Sequence, residues 1–279
     1  PFPMDKFSRS RALLEAELRT GRFVAPEPAA WEDLLRVHRA AYLESVRDGR
    51  LSDFDRNRLG LPDNARLLDR CRRETQGTLL AARAALEDGL AANLGGGTHH
   101  AFADRGLGFC VLNDVAVACA ALAVERPGLS ILVLDTDAHQ GNGTHALLRG
   151  IGGRFSHSIH VGRNYPSEKE AGDLDVALPR GVEGPEYLAA LSASLEEALA
   201  RARPGLVLWN SGADVHADDR FGQMALSDAD IAERDRRVLA ATRGAGIPTV
   251  VLYGGGYNRD RRRTARLHAE TVLRAEAWA

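Results

Sequence analysis

Aspartate, aspartate and histidine occupy alternate positions in Asp135-Thr136-Asp137-Ala138-His139. Alternate residues of an extended segment share a face, so these side chains can converge. Asp214, in Gly212-Ala213-Asp214, offers a further carboxylate. Carboxylate oxygens and imidazole nitrogens are donors that zinc accepts, and a catalytic zinc keeps one position open beside its protein ligands. On a surface turn the same run would merely cap nearby backbone. Here it ends an apolar strand and runs into Gln140-Gly141-Asn142-Gly143, which favours a metal site.

His99-His100 follows Gly95-Gly96-Gly97-Thr98. Imidazole takes and gives protons near neutral pH, so the pair can supply a proton shuttle and an orienting or electrostatic group. Tyr257 follows Gly254-Gly255-Gly256, and a phenol is a suitable donor to a developing oxyanion. A tyrosine packed on a glycine turn, or a turn aspartate at Asp214, explains either residue taken singly. The set taken together reads as a hydrolytic centre. Cys110 is close in sequence but reads as a buried, inert thiol. The run from Arg259 to Arg263 reads as a solvated face, and the tryptophans as packing residues.

These residues need elements to position them. Short apolar, β-branched runs at 130–134, 158–161, 205–209 and 248–252 read as strands buried on both faces, with a weaker one at 90–94. Apolar helical periodicity covers 29–46, 65–90 and 187–202. Ser227, with Asp230 in capping-box spacing, opens another helix that runs to about residue 244. Strands alternating with helices predict an α/β fold. It is a single-domain three-layer sandwich over residues 1–279, with a mostly parallel central sheet. In such sheets ligands bind beyond the carboxyl ends of the strands, where the Asp, His, Tyr and glycine clusters fall.

Composition narrows the function. A formal charge of -2 gives no basic excess for nucleic acid. No apolar run reaches the ~20 residues of a membrane span. The three cysteines form no CxxC pair, which argues against a disulfide framework or cysteine zinc site and fits a cytoplasmic setting. Lysine occurs only at Lys6 and Lys169 beside abundant arginine, which reads as codon bias in a GC-rich, bacterial genome.

Nearly the whole chain resembles the histone deacetylase family. The marker segments are Gly95 to Ala101, Gly108 to Asp114, Asp135 to Gly143, Gly212 to Asp214 and Gly254 to Tyr257. Their flavour is that of the class IV branch and its compact bacterial relatives. The resemblance implies the arginase/deacetylase-like fold. It implies one Zn2+ per chain on Asp137, His139 and Asp214, with His100 as general base and acid. His99 matches the second histidine, Asp135 its carboxylate partner, Asn142 the partner of His100, and Tyr257 the carbonyl-polarising tyrosine. Gly108, Phe109 and Tyr165 match the walls of a narrow acyl-lysine channel, and Phe221 its rim. A structural K+ would use oxygens of Asp135, Asp137, His139 and the Ser158-Ile159 step.

The implied reaction frees an amine and a carboxylate from an acylated lysine peptide or a small acylated amine. Asn142 departs from the Asp of class I members, and a neutral partner stabilises an imidazolium less than a carboxylate does. The family's usual first strand would lie upstream of Pro1, leaving one sheet edge to account for. Three rivals share parts of this description. They are a two-manganese ureohydrolase, which would need more carboxylates, a deacetylase of acetylpolyamines or metabolites, and a non-catalytic acyl-ligand binding module.

Overall fold

The computed structural model describes residues 2–61 and 65–279. Pro1, before which the extra strand is expected, lies outside the described residues. The chain runs through helices α1 (Asp5–Glu17), α2 (Trp31–Leu35), α3 (Ala40–Arg47), α4 (Asp53–Leu59) and α5 (Ala65–Asp88) before strand β1 (Leu90–Asn93). Then come α6 (Asp114–Glu125), β2 (Ile131–Asp135), α7 (Asn142–Leu148), β3 (Arg154–Val161) and β4 (Leu174–Leu178). The last elements are α8 (Gly184–Ala202), β5 (Leu206–Asn210), α9 (Asp228–Thr242), β6 (Thr249–Leu252) and α10 (Arg261–Glu276).

The strands form a six-stranded sheet in the order β1-β6-β5-β2-β3-β4. Every ladder between these strands is parallel, in keeping with the mostly parallel sheet expected from the sequence. Side chains alternate between two apolar layers. Leu132, Leu134, Val207, Trp209 and Val251 pack with Leu14 of α1, Leu191 of α8, Leu239 of α9 and Leu267 of α10. Ile131, Val133, Leu206, Leu208, Val250 and Leu252 face Leu79 and Ala82 of α5 and Val115 and Leu122 of α6. Burial on both faces is what an all-parallel sheet requires. A third cluster joins α2, α3 and α4 to α5 and α6 through Leu34, Leu43, Leu59, Leu68 and Val117. Among the described residues no helix is long and apolar enough to cross a membrane.

Strand β3 begins at Arg154 rather than at 158, helices α1, α4, α6, α7 and α10 add to those expected, and two further departures have a clear physical cause. The helix expected over 29–46 is divided into α2 and α3. At the break, the Arg39 N–H donates to Ala103 O at 2.7 Å, and the buried His38 ring contacts Phe102 O at 2.9 Å and accepts from Asn113 N–H at 3.0 Å. Tertiary hydrogen bonds override the local periodicity there. Strand β4 escapes detection because it is an edge strand with alternating exposure, not a continuous buried run.

Successive strands step outward from β2 to β3 and β4, and then α8 carries the chain back to β5 on the other side of β2. The sheet therefore has its topological switch point between β2 and β5, where open α/β sheets bind ligands.

The capping box of α9 forms as its spacing predicts: Ser227 Oγ accepts from Asp230 N–H at 3.2 Å, and Asp230 Oδ2 accepts from Ser227 N–H at 2.8 Å. Ser227→Ala is expected to lower stability by about 1 kcal/mol, read as a shifted denaturation midpoint at unchanged slope.

Candidate active site

The metal-ligand candidates leave the strands at the switch point. Asp137 and His139 follow β2, and Asp214 follows β5. All three are buried, and their donor atoms lie within 4.8 Å of one another. His139 Nδ1 is 3.1 Å from Asp137 Oδ1 and 2.9 Å from Asp214 Oδ2. Backbone N–H groups fix the carboxylates: Ala138 donates to Asp214 Oδ1 at 3.0 Å and Gly255 to Asp137 Oδ2 at 2.7 Å. Gly255 has no room for a side chain, because a Cβ there would collide with Asp214 Oδ2. Behind the loop, the buried Arg234 donates to Gly212 O at 2.6 Å and pairs with Asp235 Oδ1.

The electrostatics of the trio call for a cation. Burial raises the Asp214 pKa to about 7, and the charge on Asp137 adds to that shift. Burial also opposes the charge on Asp137, but His99 and His139 outweigh it and hold that carboxyl well below its usual range. Burial opposes protonation of His139, yet its bonds to Asp137 and Asp214 prevail and raise its pKa well above the ordinary value. Metal binding displaces protons from ligand groups of this kind. Two carboxylates and an imidazole match the donor preference of zinc.

The histidine pair is divided by its partners. His99 Nδ1 is 2.6 Å from Asp135 Oδ2. Burial opposes its charge, but Asp135 and Asp137 outweigh the burial and raise it to about 9. His100 Nδ1 lies 3.0 Å from Asn142 Oδ1. An amide oxygen can only accept, so this contact places a proton on Nδ1 and leaves Nε2 as the base. Burial, then the neighbouring charges of His99 and His139, push the His100 pKa well below its usual value. The ring centroids of His99 and His100 are 4.1 Å apart. The two histidines are thus shifted in opposite directions, His99 toward its charged form and His100 toward its neutral one.

A cavity of about 330 Å³ leads to this cluster, with His100, His139 and Tyr257 among its lining residues. Gly108, Phe109, Tyr165 and Phe221 all line it. The Tyr165 ring stands edge-on to His100, with centroids 5.0 Å apart. Phe109 adopts a φ of 68°, which is strained for a bulky residue, and its N–H donates to Leu59 O at 2.8 Å. Tyr257 packs between Phe109 and Phe221, at centroid distances of 5.8 and 5.2 Å. Burial, then Asp137 and Asp214, raise its pKa well above the usual phenol value, so it remains a proton donor. Further in, a space of about 40 Å³ is lined in part by Cys110. Burial pushes that thiol well above its ordinary pKa, which suits an inert cysteine.

The residues implied for potassium are less distinctive. Ser158 is the register partner of Asp135 across β2 and β3, but its hydroxyl lies 3.0 Å from His160 Nδ1. Ile159 is buried in the core layer that contains Leu134. Asp137, His139 and Asp214 form the one group of three or more potential ligand side chains found among the described residues.

Two neighbours were not singled out from the sequence. Asn210, register partner of Asp135, donates to Asp135 Oδ1 at 3.0 Å. Lys6 is fully buried, and its Nζ donates to Gly254 O at 3.0 Å and lies 5.4 Å from the Tyr257 ring centroid. Its signal was its rarity in a chain that otherwise uses arginine, read above as codon bias alone. The exposure of Arg259 to Arg263 agrees with a solvated face.

The model of the histone deacetylase domain matches residues 1–273. Histone deacetylase 2 of Arabidopsis thaliana is 33% identical over 287 residues, covering 98% of this chain and 72% of that protein. A histone deacetylase-like amidohydrolase of Pseudomonas aeruginosa is 32% identical over 273 residues, covering 90% of this chain and 70% of its own length. The fold matches the crystal structure of an HDAC homologue complexed with SAHA, with a TM-score of 0.83 at 24% identity, over 97% of this chain and 77% of that one. The chain belongs to the histone deacetylase family and is a hydrolase of its deacetylase and amidohydrolase type.

Proposed function

We propose that the protein hydrolyses the amide of an acylated amine, of the acyl-lysine kind, with one Zn2+ held by Asp137, His139 and Asp214. The observation that carries this reading is the convergence of those donors, within 4.8 Å, beside a cavity lined by His100 and Tyr257. A bound Zn2+ ion supplies Lewis acidity toward the amide carbonyl and the attacking water. The HDAC homologue of the same fold was crystallised with SAHA, which is consistent with a ligand entering along such a cavity.

The chain's own residues divide the remaining work. Phe109 and Tyr165 present aromatic faces to the methylene stem of the substrate, whose amine carries no charge once acylated. His100 takes a proton from the attacking water at Nε2 and later returns it to the leaving amine. His99, held cationic beside Asp135, favours the negative charge that develops nearby. Tyr257 donates its hydroxyl proton in a hydrogen bond to the tetrahedral oxyanion. Because Asn142 is neutral, protonated His100 lacks the support a carboxylate would give, which favours prompt return of the proton. A two-manganese site would need carboxylates beyond the single trio found among the described residues.

Metal analysis of the purified protein is expected to give about one equivalent per chain, and Asp214→Ala to lose most of it; two tightly held manganese ions would favour the ureohydrolase reading. His100→Ala should reduce turnover by about 100-fold or more while metal content stays at the wild-type level, because His100 moves protons and does not hold the ion. Tyr257→Phe keeps the ring and its packing. It should lower kcat by roughly 100- to 1000-fold with a much smaller change in KM, whereas a tyrosine that only packs on the turn would leave kcat near wild type.

A further inference from the structure

Two arginines line the cavity beside its aromatic walls. Its described lining includes Arg58 and Arg220 and no carboxylate. Arg58 belongs to α4, and its backbone carbonyl accepts from Gly108 N–H at 3.1 Å, so it adjoins the Gly108–Phe109 wall. Its guanidinium carbon lies 5.2 Å from the exposed Phe54 ring centroid. Arg220 adjoins the other aromatic wall: its Nε donates to Tyr257 O at 3.1 Å, and its guanidinium carbon is 5.2 Å from the Phe221 centroid. Asp219, next in sequence to Arg220, accepts from the N–H groups of Phe221, Gly222 and Tyr257 instead. Among the described residues neither arginine is in an ion pair. This local excess stands on a chain whose formal charge is -2.

Resting on the deacylase reading, we propose that the substrate is an acylated amine that carries a carboxylate at the end left at the cavity mouth. Guanidinium groups bind carboxylates through paired, charge-assisted hydrogen bonds, and like charge at the same place repels. A cationic tail, such as the free amines of an acylated polyamine, meets two arginines there and is disfavoured. The carboxylate can belong to a small N-acyl amino acid or to acidic residues flanking an acyl-lysine, and the chemistry of recognition is the same.

The test uses the full, zinc-loaded chain and a matched set of acetylated amines. The small ones are Nε-acetyl-lysine blocked at the α-amine with its carboxylate free, the same compound amidated, and N-acetylputrescine. The peptides place acetyl-lysine between aspartates or between arginines. The expected kcat/KM falls from anionic to neutral to cationic, by on the order of tenfold between the extremes, with most of the change in KM. The spread should shrink in about 0.5 M salt, as screened exposed charges require. Arg58→Glu and Arg220→Glu, made separately, should each lower the anionic-to-cationic ratio, a readout that a general loss of activity does not move. A preference confined to the small compounds assigns the carboxylate to a metabolite-sized substrate, and one seen in the peptides assigns it to acidic flanks. Turnover that ignores charge, favours the cations, or keeps its ratio in both variants overturns the proposal and leaves the deacylase reading intact. No turnover of any member by metal-loaded protein overturns both.

Discussion

Buried like charge is the constraint on which the rest of the structure turns. Two unit charges about 4 Å apart repel by roughly 4 kcal/mol in a medium of effective dielectric about 20. Asp137 and Asp214 are both buried with their oxygens in the same small space, and Asp135 is buried beside them. Each carboxylate is met by backbone N–H groups or by a histidine: Gly255 and His139 for Asp137, Ala138 and His139 for Asp214, His99 for Asp135. The arrangement stores acceptor capacity for a cation and spends the flanking residues on keeping it there.

The fold makes that concentration of charge affordable. Parallel strands β2 and β5 deliver their ends side by side, in register from Ile131 with Leu206 to Asp135 with Asn210. The residues within the strands are apolar and buried, so polar groups enter only where the strands end. Glycines at the ends allow backbone to approach the carboxylates: the N–H of Gly255 reaches Asp137 only because no Cβ occupies the space before Asp214. From the far side, Arg234 grips the carbonyl of Gly212 and is itself neutralised by Asp235. A buried ion pair of this kind is weak support for stability in general, but here it fixes the loop that carries a proposed ligand.

Much of this was legible in the sequence, for a physical reason. Strands buried on both faces leave an unbroken apolar run, and 130–134, 205–209 and 248–252 correspond to β2, β5 and β6 within a residue or so. Polar residues directly after such runs stand out, which is how Asp137, His139, Asp214 and Tyr257 could be grouped before their geometry was known. Strand β4 was illegible because its outward residues are exposed, and the break between α2 and α3 because its cause, His38 bridging Phe102 and Asn113, is tertiary. Lys6, Arg234, Arg58 and Arg220 escaped notice for the same reason. Each acts by reaching across the fold, and a long flexible cation carries no spacing signature of its target.

Lys6 binds the first helix to the last glycine turn across 248 positions of sequence. During synthesis the lysine leaves the ribosome while its acceptor, Gly254, is still unmade, and α1 has no α10 to pack against. Helix α1 and the turn after β6 must therefore both be made before Lys6 can brace Gly254 beside the Gly255 contact with Asp137. Contacts of such long range close late, since the loop entropy has to be met first. A chain that stops short of β6 can therefore bury much of its sheet without acquiring the turn whose Gly255 N–H meets Asp137.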